Sequence, residues 1–109
     1  MMIGMYMLKY KRWEVWFAKV KFEDSEEIKK RPVLILNENN GLAISLKMTS
    51  QKPRDNSDYA LKHWIKAGLD RETVVRTSKL CHLMDIDFDR KLGRISEYDA
   101  LQIQTIMSK

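Results

Sequence analysis

Between Trp13 and Thr49 the chain carries three apolar runs separated by two polar breaks. That pattern is hard to satisfy with anything but an antiparallel sheet. In the first run, Trp13 to Phe22, the residues Trp16, Ala18, Val20 and Phe22 alternate with Lys19 and Lys21. This is the period-two signature of a half-buried strand. Glu23 to Lys30 is a charged break that predicts a long, mobile hairpin loop. Pro32 to Leu36 is a continuous apolar run and predicts a central strand that starts at its proline, where a missing N–H does least harm. Asn37 to Gly41 predicts a turn. Leu42 to Thr49 alternates again, with Leu42, Ile44, Leu46 and Met48 on one face and Ala43, Ser45, Lys47 and Thr49 on the other. The three runs read as a consecutive meander.

The rest of the chain is less regular. Ser50 to Ser57 is a polar loop, and Asp58 to Trp64 a weaker strand. Gly68 and Asp70 mark a turn. Thr73 to Ser78 predicts another strand, and a last short one is expected around Leu83 to Ile86 or close to Ile95. The chain then ends in a helix. Ser96 is a good N-cap, with Asp99 three residues on. Ala100, Ile103 and Met107 line one face, flanked by Leu101 and Ile106. Short strands plus one terminal helix predict a mainly β domain, a small and strongly curved antiparallel barrel.

With 109 residues the chain has the size of one domain, and 44% hydrophobic residues can fill one core. Residues 1–11 read as an N-terminal extension and 12–109 as the single domain. Met1 to Arg12 places its apolar residues before its charges, the reverse of a signal peptide. No segment reaches the length of a membrane span, so no membrane is expected and the protein reads as cytoplasmic. Cys81 is the only cysteine, so no internal disulfide can form.

Charge is concentrated in the middle. From Lys47 to Lys79 there are eight basic and four acidic residues, so this third holds +4 of the net +5. Such a surface suits a polyanion, either nucleic acid or an acidic protein. Glycine-rich phosphate loops are missing. His63 and His82 sit on separate segments with no carboxylate or cysteine at ligand spacing, and read as surface or packing residues. Asp85, Asp87 and Asp89 alternate but lack the glycine and closing glutamate of a calcium loop, and read as a solvated edge. No metal and no cofactor is expected.

Three local features carry potential chemistry. Arg31 follows Lys29 and Lys30 where a charged loop enters an apolar strand, so strand geometry can fix its guanidinium for a phosphate. Thr49, on the polar face of its strand and followed by Ser50 and Gln51, could donate to a phosphate oxygen. Arg76 and Ser78, at spacing two, would project together from one face. Each has an ordinary surface reading as well.

These segments resemble, in order, those of the PemK/MazF toxin family. Arg12-Trp13-Glu14-Val15-Trp16 is similar to the family's opening Arg-Gly-Asp-Ile/Val-Trp/Tyr. Arg31-Pro32-Val33-Leu34 looks like its Arg-Pro-Val-Leu signature. Met48-Thr49-Ser50 sits where the family carries a Thr or Ser. Gly68-Leu69 followed by Thr73-Val74-Val75-Arg76 resembles its Gly-Leu-x-x-x-Ser-x-Val/Ile segment. Lys91-Leu92-Gly93-Arg94-Ile95-Ser96, then Asp99, is similar to the element that opens its last helix.

The resemblance implies an SH3-like barrel with a C-terminal helix, a homodimer, and metal-independent cleavage of single-stranded RNA at a short sequence. It also implies a cognate antitoxin whose acidic, disordered tail folds along the RNA groove. By position Arg31 would stabilise charge on the reacting phosphate, with proton donation to the leaving 5′-oxygen a further role open to it. Thr49 would hold a phosphate oxygen, and Arg76 would act beside them. Lys30, Ser50, Gln51, Lys52 and Ser78 would contact the substrate. Ser78 stands where some members have an aspartate, which leaves Glu26 or Glu27 in the first loop to supply a base. The alternative on the same barrel is a non-catalytic toxin that binds nucleic acid or gyrase.

Overall fold

A computed structural model describes residues 9–21 and 26–109. One sheet carries strands β1 (Glu14–Lys21), β2 (Ile28–Asn39), β3 (Leu42–Thr49), β4 (Asp58–Ala60), β5 (Val74–Met84) and β6 (Phe88–Arg94), and helix α1 (Glu97–Met107) follows. The strand order is β4-β5-β3-β2-β1-β6, with every pair antiparallel. The protein is therefore mainly β with a C-terminal helix.

The sheet is open, with β4 and β6 as its edges, yet it must curl. Four strand spacings separate β5 from β6, about 19 Å in a flat sheet. Only the 3-10 turn Asp85–Asp87 joins them. Met84 and Phe88 can lie at most about 14 Å apart. The curl gives the sheet two buried faces. On one, Val15, Leu34, Leu46, Met48 and Val75 pack under Ala100 and Ile103 of α1 and under Leu61 and Ala67. On the other, Ala18, Val20, Val33 and Leu83 form one cluster and Tyr10, Ile35 and Ala43 a second, with Trp16 and Phe88 packed against both. Each fully buried aliphatic side chain contributes about 1.5–3 kcal/mol.

β3 has the bounds its alternation predicts, and β1 ends at Lys21; Phe22 and residues 23–25 of the first loop lie outside the described residues. Other boundaries differ from the sequence reading. β2 begins at Ile28, inside the expected loop, so Pro32 is mid-strand. The ladder to β3 starts only at Val33, and Pro32 therefore sits where β2 is paired on one side. Asn37 to Asn39 belong to the strand, and the turn is Asn40-Gly41, with φ of 53° and 80°. Two consecutive positive φ values make the tight hairpin whose twist matches its strands. β4 stops at Ala60 rather than Trp64: Leu61 still donates its N–H to the Thr73 carbonyl at 3.0 Å, but Asp99 then takes the N–H groups of Lys62 and His63. β5 runs on to Met84, past the expected end at Ser78, and β6 ends just before Ile95.

Two glycines explain two of the motifs. A Cβ on Gly68 would meet the Leu92 carbonyl oxygen at 2.0 Å, and one on Gly93 would meet that of Ala67 at 2.4 Å. The two backbones cross at contact distance, and Gly68 also has a φ of 87°. Gly68→Ala should lower stability by about 2–3 kcal/mol, combining left-handed strain with overpacking. A denaturant midpoint equal to wild type would contradict this. Trp13 is the other notable residue, with φ 75° where the resembling motif has glycine. Its N–H donates to the Ile35 carbonyl at 2.8 Å and its carbonyl accepts from Ile95 at 3.0 Å, which hold the turn in place.

Ser96 caps α1 as expected, its hydroxyl accepting the N–H of Asp99 at 3.2 Å. Met107, expected on the buried face, is 42% exposed. Asp99 is fully buried instead. Its carboxylate accepts from the Tyr59 hydroxyl at 2.6 Å and from the N–H groups of Lys62 and His63 at 3.0 Å each. One side chain thus ties the segment after β4 to the start of the helix.

Candidate functional site

The β2–β3 ladder ends at Val33↔Lys47. Beyond that pair, β2 continues toward Ile28 paired only with β1, and β3 continues to Thr49 paired only with β5. The sheet splits there into two lips. A groove of about 840 Å³ fills the split. One lip supplies Phe17, Val20, Lys21, Lys30, Arg31 and Pro32; the other supplies Lys47, Met48, Thr49, Ser50, Gln51, Arg54 and Arg76. Asp70, Arg71 and Thr73 complete the wall.

Seven cations and one carboxylate line this space, so it holds a strongly positive potential. The carboxylate, Asp70, is neutralised by Arg71, whose Nε lies 3.1 Å away and holds its pKa below the usual range. Thr73 steadies that end of the wall by donating its hydroxyl to the Arg71 carbonyl at 2.9 Å.

Arg31 stands on β2 opposite Ala18, one residue before the proline, and its Nη1 donates to the Lys30 carbonyl at 3.2 Å. Lys30 reaches Asp89 Oδ2 at 3.5 Å. On the facing lip, the Thr49 hydroxyl oxygen accepts the N–H of Gln51 at 3.1 Å, which leaves its own proton to donate. Gln51 in turn accepts from Arg54 at 2.7 Å. Lys47 Nζ donates to the Lys21 carbonyl at 3.1 Å, bridging the two lips.

Arg76 lies deeper. Its Nε is 3.6 Å from Asp58 Oδ1, with the two side chains only 16% and 2% exposed. Asp58 is its cross-strand partner on β4, and the other carboxylate oxygen accepts the N–H of Arg54 at 3.0 Å. The carboxylate beside Arg76 thus comes from another strand rather than from two residues along. Sequence spacing offers no cue to Asp58, because the pairing is set by sheet register.

Of the residues singled out from sequence, Lys30, Arg31, Thr49, Ser50, Gln51 and Arg76 meet in the groove. Lys52 does not line it. Ser78 does not either, and the expected sharing of a face with Arg76 is corrected by the register. Lys47 pairs with Arg76 but Leu46 with Leu80, so Thr77, Ser78 and Lys79 bulge out of the ladder. Thr77 turns to the preceding loop, its N–H and hydroxyl both donating to the Ser57 carbonyl. Glu26 and Glu27 lie outside the lining, ion-paired with Lys21 at 3.2 Å and Lys29 at 3.7 Å. Lys21, Lys47, Arg54 and Arg71 are groove cations that sequence reasoning did not single out individually.

His63 Nδ1 lies 2.8 Å from the Ser96 hydroxyl, at the helix cap rather than in the groove. Among the described residues no group of three or more His, Cys, Asp or Glu is placed to hold a metal ion. Nor is any described helix long and apolar enough to cross a membrane.

The model of one family, described as the PemK-like, MazF-like toxin of type II toxin–antitoxin systems, matches residues 11–109. No curated protein matches the chain by sequence. Solved structures do match in fold. An endoribonuclease from a Mycobacterial species is similar at a TM-score of 0.73 and 15% identity, over 94% of this chain and 91% of that one. A Mycobacterial endoribonuclease in complex with its cognate antitoxin gives 0.69 at 14% identity, over 89% of each chain. The Mycobacterium tuberculosis toxin MazF-mt6 gives 0.67 at 15% identity, over 85% of this chain and 92% of that one.

Proposed function

Because this chain belongs to the PemK-like, MazF-like toxins of type II toxin–antitoxin systems, we propose that it is an endoribonuclease that cleaves single-stranded RNA at a short sequence without a metal ion. The observation that carries this reading is the split between β2 and β3, with Arg31 on one lip and Thr49 on the other inside a cationic groove.

The chemistry asks little more of the protein. RNA carries its own nucleophile, the 2′-hydroxyl, beside each phosphodiester. Its oxygen bonds to phosphorus, the bond to the 5′-oxygen breaks, and a 2′,3′-cyclic phosphate and a 5′-hydroxyl are left. The barrier lies in the extra negative charge on the phosphorane and in two proton movements. Preorganised donors aimed at that charge are the strongest lever. We assign Arg31 to this charge, its planar fork matching two phosphate oxygens. Arg31 also faces the leaving 5′-oxygen in this scheme and supplies its proton. Thr49 donates to a phosphate oxygen. Arg76, oriented by Asp58, adds a second positive charge. The 2′-hydroxyl proton passes to a first-loop carboxylate, Glu26 or Glu27; both lie outside the groove lining, Glu26 paired with the groove residue Lys21, so substrate must bring the base within reach. Lys30, Ser50 and Gln51 hold the flanking backbone.

The same groove fits the other partner we assign, an antitoxin with an acidic disordered tail. The Mycobacterial relative bound to its cognate antitoxin supports this. A second copy of the chain is assigned to another depression, where Leu36, Ile44, Leu80 and Met107 supply an apolar patch edged by Lys11, Arg12, Asn37 and Glu38, and Leu80 and Met107 are 52% and 42% exposed. Light scattering is expected to give the mass of a dimer, and a monomer at all concentrations would contradict that assignment.

Expression in a bacterial cell tests the main reading. Cellular RNA should fragment at one short recurring sequence, and co-expression of the antitoxin should prevent it. Growth arrest with blocked replication and intact RNA would favour the gyrase-binding alternative instead.

A further inference from the structure

We propose that Phe17 forms a nucleobase-stacking subsite beside Arg31, which reads or holds the base next to the cut; the inference rests on the ribonuclease reading above. Among the described residues lining the groove, Phe17 is the only aromatic. Every other side chain on its lip except Val20 and Pro32 is a cation. Cations neutralise phosphates but give single-stranded RNA no apolar surface for its exposed bases. Aromatic rings supply that surface in single-strand binders generally.

The ring is held rather than loose. Phe17 is half-buried on β1, opposite Pro32 on β2 and Arg90 on β6. The Arg90 guanidinium lies over the ring, 5.0 Å from its centroid. Arg90 is tethered to Asp89 Oδ2 at 3.3 Å, and the same oxygen takes Lys30 Nζ at 3.5 Å. One carboxylate thus links the cation stacked on Phe17 to the residue preceding Arg31. Phe17 is the cross-strand partner of Pro32, the residue after Arg31, and a base seated on its ring would occupy the groove that Arg31 also lines. An apolar ring fixed in a cationic groove is otherwise unexplained, since Phe17 belongs to none of the three buried clusters.

The test uses a fluorescent RNA oligomer containing the mapped cut site, with a single 2′-deoxy nucleotide there so that it binds without being cut. Phe17→Leu should weaken binding about tenfold, and Phe17→Tyr should restore it to within about twofold of wild type. The slope of log affinity against log salt should not change, because stacking releases no counterions. Abasic substitution at the stacked nucleotide should weaken wild type by the same factor and leave Phe17→Leu no weaker. Where Phe17→Leu does not fold, the abasic scan on wild type carries the test alone. Unchanged affinity in Phe17→Leu, failure of tyrosine to rescue, a reduced salt slope, or no sensitive abasic position next to the cut would each overturn the proposal. A wild-type protein that neither binds nor cuts RNA would overturn the ribonuclease reading with it, and that result is distinct from a ribonuclease indifferent to Phe17.

Discussion

Replacing Arg31 by alanine is expected to slow RNA cleavage by about 10²–10³-fold, the usual consequence of removing one donor aimed at a developing oxyanion. The fold should survive, because Arg31 lies where β2 has no β3 neighbour and its side chain belongs to none of the buried clusters. Arg31→Lys should recover only part of the rate. A lysine keeps the charge but loses the planar fork that meets two phosphate oxygens at once. Thr49→Ala should have a smaller effect, about tenfold, since a neutral donor is the weaker partner. Single-turnover rates at saturating protein measure these differences. Arg31→Ala cleaving within fivefold of wild type would remove Arg31 from the mechanism.

The second large effect concerns stability. Asp99→Ala should destabilise the protein by about 3–5 kcal/mol, because it leaves Tyr59, Lys62 and His63 with buried or half-buried donors and no acceptor. The pH dependence follows from the same contacts. Burial pushes the Asp99 pKa upward, but hydrogen bonds from Tyr59, His63, Lys62 and Ser96 outweigh it and hold the pKa below its ordinary value. A carboxyl with a depressed folded-state pKa contributes stability above its unfolded value, about 3.9. That contribution fades as pH falls through the folded-state value. Wild type should therefore lose stability on acidification below about pH 4, and Asp99→Asn should lose less over the same range. Urea midpoints taken from pH 6 downward check this. Parallel curves for the two proteins would show that Asp99 is not the titrating group.

How much of this was legible in the sequence depended on whether a residue's role is local. β3 alternates because both of its neighbours and both sheet faces impose period two, so its ends could be read directly. Ser96 and Asp99 announce a cap because an N-cap and its N3 partner lie within four consecutive residues. Arg31 and Thr49 could be placed together through family resemblance, and the split ladder supplies the physical reason they meet. From sequence β2 looks shorter than it is, since Ile28, Lys29 and Lys30 form a strand with one neighbour and an exposed side, where no hydrophobic alternation is required. β5 likewise looks too short from sequence, because the bulge at Thr77–Lys79 interrupts its pattern midway. The resemblance puts a carboxylate two residues beyond Arg76, where this chain has Ser78, and the carboxylate that lies beside Arg76 is on β4 instead. Asp58 and Arg76 are 18 residues apart and meet only through register. Asp99 as the fully buried anchor of the segment after β4 was equally hidden, because an aspartate in a first helical turn usually faces water.

Two motif glycines gain a reason that sequence could not give. Gly68 and Gly93 belong to separate motifs, but each is needed because the other's backbone passes within contact distance. Their pairing holds the segment leading to Asp70 and Arg71 against β6, and so sets one end of the groove wall.

The most direct measurement of the central claim is cleavage of one RNA oligomer by the purified protein in excess chelator, beside the same oligomer with a single 2′-deoxy nucleotide at the cut. Use of the RNA's own hydroxyl predicts cleavage of the first at an undiminished rate, a 2′,3′-cyclic phosphate on the upstream fragment, and no cleavage of the second. Cleavage that requires added metal, or that proceeds through the 2′-deoxy position, would contradict it.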